Sequence, residues 1–151
     1  MIQPVRGNVL TRLDKLDSGE YGALILAEAG LKRLGLSDRI AYRFSPEELV
    51  PAAGQGILAI QTRAGEYADL LARLNFLDGA LCAKTERQLA LLLGGDCSAP
   101  VGCHAQLHGT DMTLYGFSGI GGVPRYGSVQ GNRNDADLLV QQLASKLTIT
   151  E

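Results

Sequence analysis

The chain has no large excess of charge of either sign: 14 Lys and Arg face 16 Asp and Glu, a formal charge of −2 over 151 residues. That balance argues against a nucleic-acid binder, whose affinity comes largely from neutralising phosphates. No apolar run approaches the roughly 18 residues a membrane helix needs. The opening Met1-Ile2-Gln3-Pro4-Val5-Arg6 has neither the apolar centre nor the cleavage signal of a secretory leader. Cysteine is scarce and odd in number, at three, with no disulfide spacing, so reduced thiols in a cytoplasmic protein are the expectation. Proline is scarce as well, five against 19 Gly, which points to many tight turns without low complexity. What remains is a globular composition, 46% hydrophobic and 20% charged. Its length suits one ordinary domain or two small ones.

Three stretches organise the chain. In residues 1–50, Leu10, Leu13 and Leu16 fall at helical spacing, and the apolar run at 21–27 reads as a buried strand. A strand-to-helix turn follows from Glu28, with Gly35 as the helix stop and Asp38 opening the next piece. In residues 51–77, the small-residue loop Pro51-Ala52-Ala53-Gly54-Gln55-Gly56 leads into a second buried strand at 57–62. A helix with Tyr67, Leu70, Leu71 and Leu74 on one face comes next. In residues 78–151, Asp78 can cap a helix carrying Leu81, Thr85, Leu89 and Leu92, stopped by Gly94-Gly95. Strands are expected at 101–108, 112–117 and 123–129, the first two joined by Gly109-Thr110-Asp111. A last helix from about Asn134 places Leu138, Leu139, Leu143 and Leu147 on or near one face.

The fold expected is therefore α/β plus α+β. A partial open α/β sheet is followed by a small αβββα domain with a three-stranded antiparallel sheet. The first two stretches hold too few strands for a sheet covered on both faces. Either copies of the chain pair with one another, or a further segment completes the sheet.

Four features can carry chemistry. Arg6-Gly7-Asn8-Val9-Leu10-Thr11-Arg12 sets two guanidinium groups around a turn and a helix start, a pattern suited to carboxylates; a pair of solvated surface arginines reads the same way. Lys32 and Arg33 follow the strongest strand, where open α/β sheets bind ligands, or they form the charged face of a short helix. Gly54-Gln55-Gly56 can be a hinge that brings backbone near a ligand, or an ordinary loop. Cys97 lies in a Gly-rich loop after a helix, which favours an accessible thiol. Cys103 lies on a strand and reads as structural, and Cys82 falls on the core side of its helix. A metal site of Cys97, Cys103 and His104 would need Cys82 or His108 as a fourth ligand, and the spacing is not that of a zinc knuckle. No metal is assigned.

These features occur together in RGNVLTRLDKLDSGEYGALILAEAGLKRLGL, LVPAAGQGILAIQTR and TERQLALLLGGDCSAPVG. On those strings the chain resembles the C-terminal part of the porphobilinogen deaminases, also called hydroxymethylbilane synthases, over nearly its whole length. The resemblance implies a dipyrromethane cofactor joined by a thioether to Cys97. It implies stepwise addition of four porphobilinogen units with release of ammonia, giving a linear tetrapyrrole. Arg6, Arg12 and Arg33 match arginines that bind the pyrrole carboxylates, and Asn8 and Gln55 match positions lining the same cleft. It also implies that the catalytic Asp belongs to an N-terminal domain that nothing here matches, so no catalytic residue is assigned. The implied organisation is half of a periplasmic-binding-protein-like domain two in 1–50, a hinge with a returning strand and helix of domain one in 51–77, and domain three in 78–151. The expected partners are porphobilinogen, oligopyrrole carboxylates and the N-terminal portion of the enzyme. Exposed sheet edges also suggest self-association, which light scattering would register. The alternative is a truncated, non-catalytic anion- or pyrrole-binding module.

Overall fold

In the computed structural model, residues 1–96 and 98–148 are described. They fall into two compact units that divide between Arg43 and Phe44.

The first unit is helical. Asn8 starts α1 (Val9–Asp17) by accepting the Thr11 N–H at 2.9 Å on its side-chain oxygen, which satisfies a donor that has no partner inside the helix. The helix stops at Gly19, whose φ of +79° suits a residue without Cβ. There the Gly19 and Glu20 N–H groups turn back to the Leu16 and Lys15 carbonyls. A second helix, α2 (Glu28–Arg33), ends in the same way, with Gly35 N–H on Lys32 O and Leu36 N–H on Leu31 O. Gly35 is thus the stop its position predicts. A Cβ on Gly30 would lie 3.7 Å from Val9 Cγ2, so α2 runs close to the first turn of α1. A 3-10 turn, Ser37–Arg39, takes in Asp38.

The second unit holds the core. After a short α3 (Ala68–Leu74) come the long α4 (Leu77–Leu92), β1 (Val101–His108), β2 (Asp111–Ser118), β3 (Arg125–Asn132) and α5 (Ala136–Leu147). The strands form an antiparallel sheet in the order β1-β2-β3. The register places Cys103, Gly116 and Gly127 in one row, Ala105, Leu114 and Val129 in the next, and Leu107, Met112 and Gly131 in a third. These rows face the helices, and with Leu89, Leu139, Val140, Leu143 and Leu147 they make the core. Glycine inside a strand usually marks a close approach. Here a Cβ on Gly116 would stand 2.5 Å from Leu147 Cδ1, and one on Gly131 would stand 2.9 Å from Leu139 Cδ2. The leucines of α5 therefore rest directly on the sheet backbone.

The αβββα unit matches the expectation, with adjusted edges. The third strand opens at Arg125, not Val123, because Ile120–Gly122 forms a 3-10 turn first. Asp78 is not the cap of α4: Phe76 occupies that position, and Asp78 sits in the first turn, paired with Arg133. Leu138 points outward, whereas Leu139, Leu143 and Leu147 are buried. The two apolar runs at 21–27 and 57–62 form no strand, and the only sheet among the described residues is the three-stranded one. A strand exists through its ladder of hydrogen bonds, and neither run has a partner backbone here.

Candidate functional site

The first unit contains seven basic side chains, at positions 6, 12, 15, 32, 33, 39 and 43. Their surroundings separate them. Lys15 pairs with Glu20 at 3.2 Å, Lys32 with Glu28 at 2.8 Å, Arg39 with Asp17 at 2.5 Å and Arg43 with Glu28 at 2.9 Å. Two cations on one carboxylate hold the Glu28 carboxyl below its ordinary range, through hydrogen bonds from Lys32 first and Arg43 second. Among the described residues, Arg6, Arg12 and Arg33 have no acidic partner. Arg12 is oriented by a neutral one, its Nε donating to the Gly7 carbonyl at 2.8 Å. Gly7 takes φ +121°, and a Cβ there would press on the Thr11 side chain at 3.0 Å. The turn that aims Arg12 is therefore built for glycine. Lys32, a candidate on sequence, is committed to Glu28. Asn8 has its oxygen engaged by the Thr11 N–H and by the Thr11 hydroxyl at 3.0 Å, so its part is to shape the start of α1.

In the second unit, Gln55 is exposed at the tip of a loop whose flanking Gly54 and Gly56 have φ of +77° and +80°. The backbone of that loop is held from below. The Cys103 N–H donates to Pro51 O at 2.8 Å, and the Gly54 N–H donates to Glu86 Oε2 at 2.7 Å.

Cys97 lies outside the described residues, but its neighbours are ordered by Asp96. One carboxylate oxygen accepts the Ser98 N–H at 2.8 Å, the Ser98 hydroxyl at 2.7 Å and the Ala99 N–H at 2.9 Å. These bonds, the Ser98 hydroxyl foremost, hold the Asp96 carboxyl below its ordinary range. The loop leaves α4 through Gly94, at φ +72°, with the Gly94 and Gly95 N–H groups closing on Leu91 O and Ala90 O. The other two thiols are poor nucleophiles. Burial, with the Glu86 charge adding to it, pushes Cys103 up to about 12. Burial also raises Cys82, helped by Glu86 and Asp78. Nucleophilicity requires the thiolate. Cys103 packs in the core as expected, and Cys82 packs against it. No group of three metal-binding side chains comes together among the described residues, nor is any of their helices long and apolar enough to cross a membrane.

A cleft of about 850 Å³ opens elsewhere in this unit, lined by Ile57, Leu58, Ile60, Leu71, Leu74 and Phe76 among others. Among the described residues that line it, Asn75 is the only polar side chain, which suits the cleft to apolar contact rather than to chemistry.

Residues 1–70 match the family model for "Porphobilinogen deaminase, dipyromethane cofactor binding domain", and residues 80–148 match "Porphobilinogen deaminase, C-terminal domain". The chain belongs to the porphobilinogen deaminase family. It is 47% identical over 150 residues to the porphobilinogen deaminase of Chromobacterium violaceum, an alignment covering 97% of this chain and 48% of that protein. For the enzyme of Thiobacillus denitrificans the figures are 45% over 150 residues, with 97% and 49% covered. For that of Ruminiclostridium josui they are 42% over 146 residues, with 95% and 50% covered. The chain spans about half the length of the curated relatives it matches. The first deaminase model takes in Arg6, Asn8, Arg12, Arg33 and Gln55, and the second takes in Cys97.

Glu86 is the residue that sequence reasoning passes over. It is 2% exposed and anchors the Gln55 loop. The signal is available: Cys82, Glu86 and Leu89, with Leu93 at the C-cap, recur at helical spacing along the inward side of α4. A charged residue on that side needs buried partners.

Proposed function

We propose that this chain is the carboxylate-binding and cofactor-carrying portion of a hydroxymethylbilane synthase. The observation that carries the reading is the division of basic side chains in the first unit. Four are paired with three neighbouring acids, and Arg6, Arg12 and Arg33 have no acidic partner among the described residues. Porphobilinogen and its oligomers carry acetate and propionate groups on every pyrrole. Uncommitted guanidinium groups suit them, since each can donate two parallel N–H bonds to a carboxylate. That donor set also fits the carboxylates of a dipyrromethane.

The dipyrromethane, when bound, supplies the pyrrole end from which the chain is extended. The residues here would bind and orient. Arg6, Arg12 and Arg33 hold carboxylates, Gln55 contributes an amide at the cleft, and Cys97 anchors the cofactor through sulfur. A thioether survives hydrolysis of the tetrapyrrole product, which allows the anchor to be reused, and a thiolate is the nucleophile suited to forming it. We assign no catalytic acid to this chain; the resemblance gives that role to an Asp in the part of the enzyme beyond the matched half. The runs at 21–27 and 57–62 would gain strand partners in the larger assembly. Domain two would then take 1–50, domain one 51–77 and domain three 78–151. The exposure of Leu58 at 91%, Phe76 at 72% and Leu77 at 74% supports such docking. A cytoplasmic location accords with the soluble substrate.

The test is an assay for porphobilinogen consumption and ammonia release by the 151-residue chain, alone and mixed with the N-terminal half of a relative. No turnover is expected from the chain alone, and turnover is expected from the mixture. Substantial turnover by the chain alone refutes the assignment of the catalytic acid elsewhere. Pyrrole binding without turnover in either arm favours the non-catalytic module.

A further inference from the structure

Among the described residues, Glu86 is the only Asp, Glu, Lys or Arg in the buried set. Its two oxygens serve different segments. Oε1 accepts the Ala105 N–H at 2.9 Å, with His104 Nδ1 at 3.3 Å, and Oε2 accepts the Gly54 N–H at 2.7 Å. The strand order explains why acceptors are needed. In the sheet, β1 is an edge, with β2 on one side only. The edge N–H of Cys103 is taken by the Pro51 carbonyl at 2.8 Å, as in a continuing ladder. Residues 50–51 run so close to β1 that a Cβ on Gly102 would stand 2.6 Å from Val50 O. Two residues further along β1, the Glu86 carboxylate replaces the next carbonyl, capping Ala105 while its other oxygen holds Gly54. The chain is therefore free to turn away after Pro51 while its backbone stays fastened to the sheet.

We propose that Glu86 is a positioning residue whose carboxylate bridges the edge of β1 to the Gly54–Gly56 loop and fixes the backbone that presents Gln55. The role assigned to Gln55 rests on the proposed function; the bridge itself does not. A carboxylate is required because two donors face two acceptor oxygens, whereas a glutamine offers one oxygen and a competing NH₂.

NMR of the 151-residue chain tests this directly. In the wild type, the Gly54 and Ala105 amides should each show scalar coupling through the hydrogen bond to the Glu86 carboxylate carbon. In Glu86→Gln, amide exchange at Gly54 should accelerate about tenfold or more. The heteronuclear NOE of Gln55 should fall, and the core amides of Leu114 and Val129 should stay within about twofold of wild type. Absence of the coupling overturns the proposal, and this arm needs no variant to fold. Unchanged exchange at Gly54 also overturns it. So does acceleration at Leu114 and Val129 equal to that at Gly54, which would make Glu86 a stabiliser of the whole domain. None of these readouts involves the cofactor. A Cys97 that never carries dipyrromethane would defeat the functional reading and leave the bridge standing.

Discussion

Shortening Leu143 to alanine is expected to lower the melting temperature of the second unit by roughly 10–40 °C, from a loss of about 2–5 kcal/mol in a domain of this size. Leu143 is fully buried at the centre of α5. Its Cδ2 would lie 3.1 Å from a Cβ on Gly116, and its Cδ1 would lie 3.2 Å from one on Gly127. It thus fills the space that two strand glycines leave open. Truncation opens a cavity between helix and sheet, and ordered strands can close over it only partly. Leu138→Ala is the control. That side chain, on the same helix, is 56% exposed, so its loss should change stability by less than about 1 kcal/mol. Thermal melts followed by circular dichroism separate the two. Equal shifts would contradict the assignment of the core.

The second large effect concerns the uncommitted arginines. Arg33→Leu is expected to weaken porphobilinogen binding about 10- to 150-fold, the loss of one charge-assisted carboxylate contact. Arg39→Leu, which removes the same charge from a side chain already paired with Asp17, should change affinity less than about twofold, because an exposed pair contributes little beyond its own partner. Amide shifts titrated with porphobilinogen measure both. Equal weakening would mean that the ligand responds to net charge and not to three selected guanidinium groups.

The second unit was largely legible in the sequence because its signals are local. Alternation along β2 separates Met112, Leu114 and Gly116, which face the helices, from Thr113, Tyr115 and Phe117, and Gly94-Gly95 ends α4 where expected. The strand glycines at 116, 127 and 131 carry no mark of being contact points, since their meaning depends on which leucines α5 sets above them. The apolar runs at 21–27 and 57–62 look like buried strands by composition, but a ladder needs a partner that composition does not encode. The site divides in the same way. Which arginine is uncommitted depends on acids far along the chain, 22 residues for Asp17 and Arg39 and 15 for Glu28 and Arg43. Lys32 is the exception: it stands four residues after Glu28 on α2, a spacing that already pairs it with that acid and leaves Arg33 aside. The place of Glu86 on the buried stripe of α4 is legible, but its partners are not, because they are backbone amides of a loop and an edge strand and backbone donors leave no mark in a sequence.

Cys97 is the thiol to which we propose that a dipyrromethane is joined. The intact mass of the chain, produced together with the N-terminal half of a relative and mapped by peptide fragmentation, tests it most directly. A mass increase of two linked pyrrole units is expected, located on the peptide containing Cys97 and absent from Cys97→Ser. The same increase on Cys82 or Cys103, or its persistence in Cys97→Ser, would contradict it.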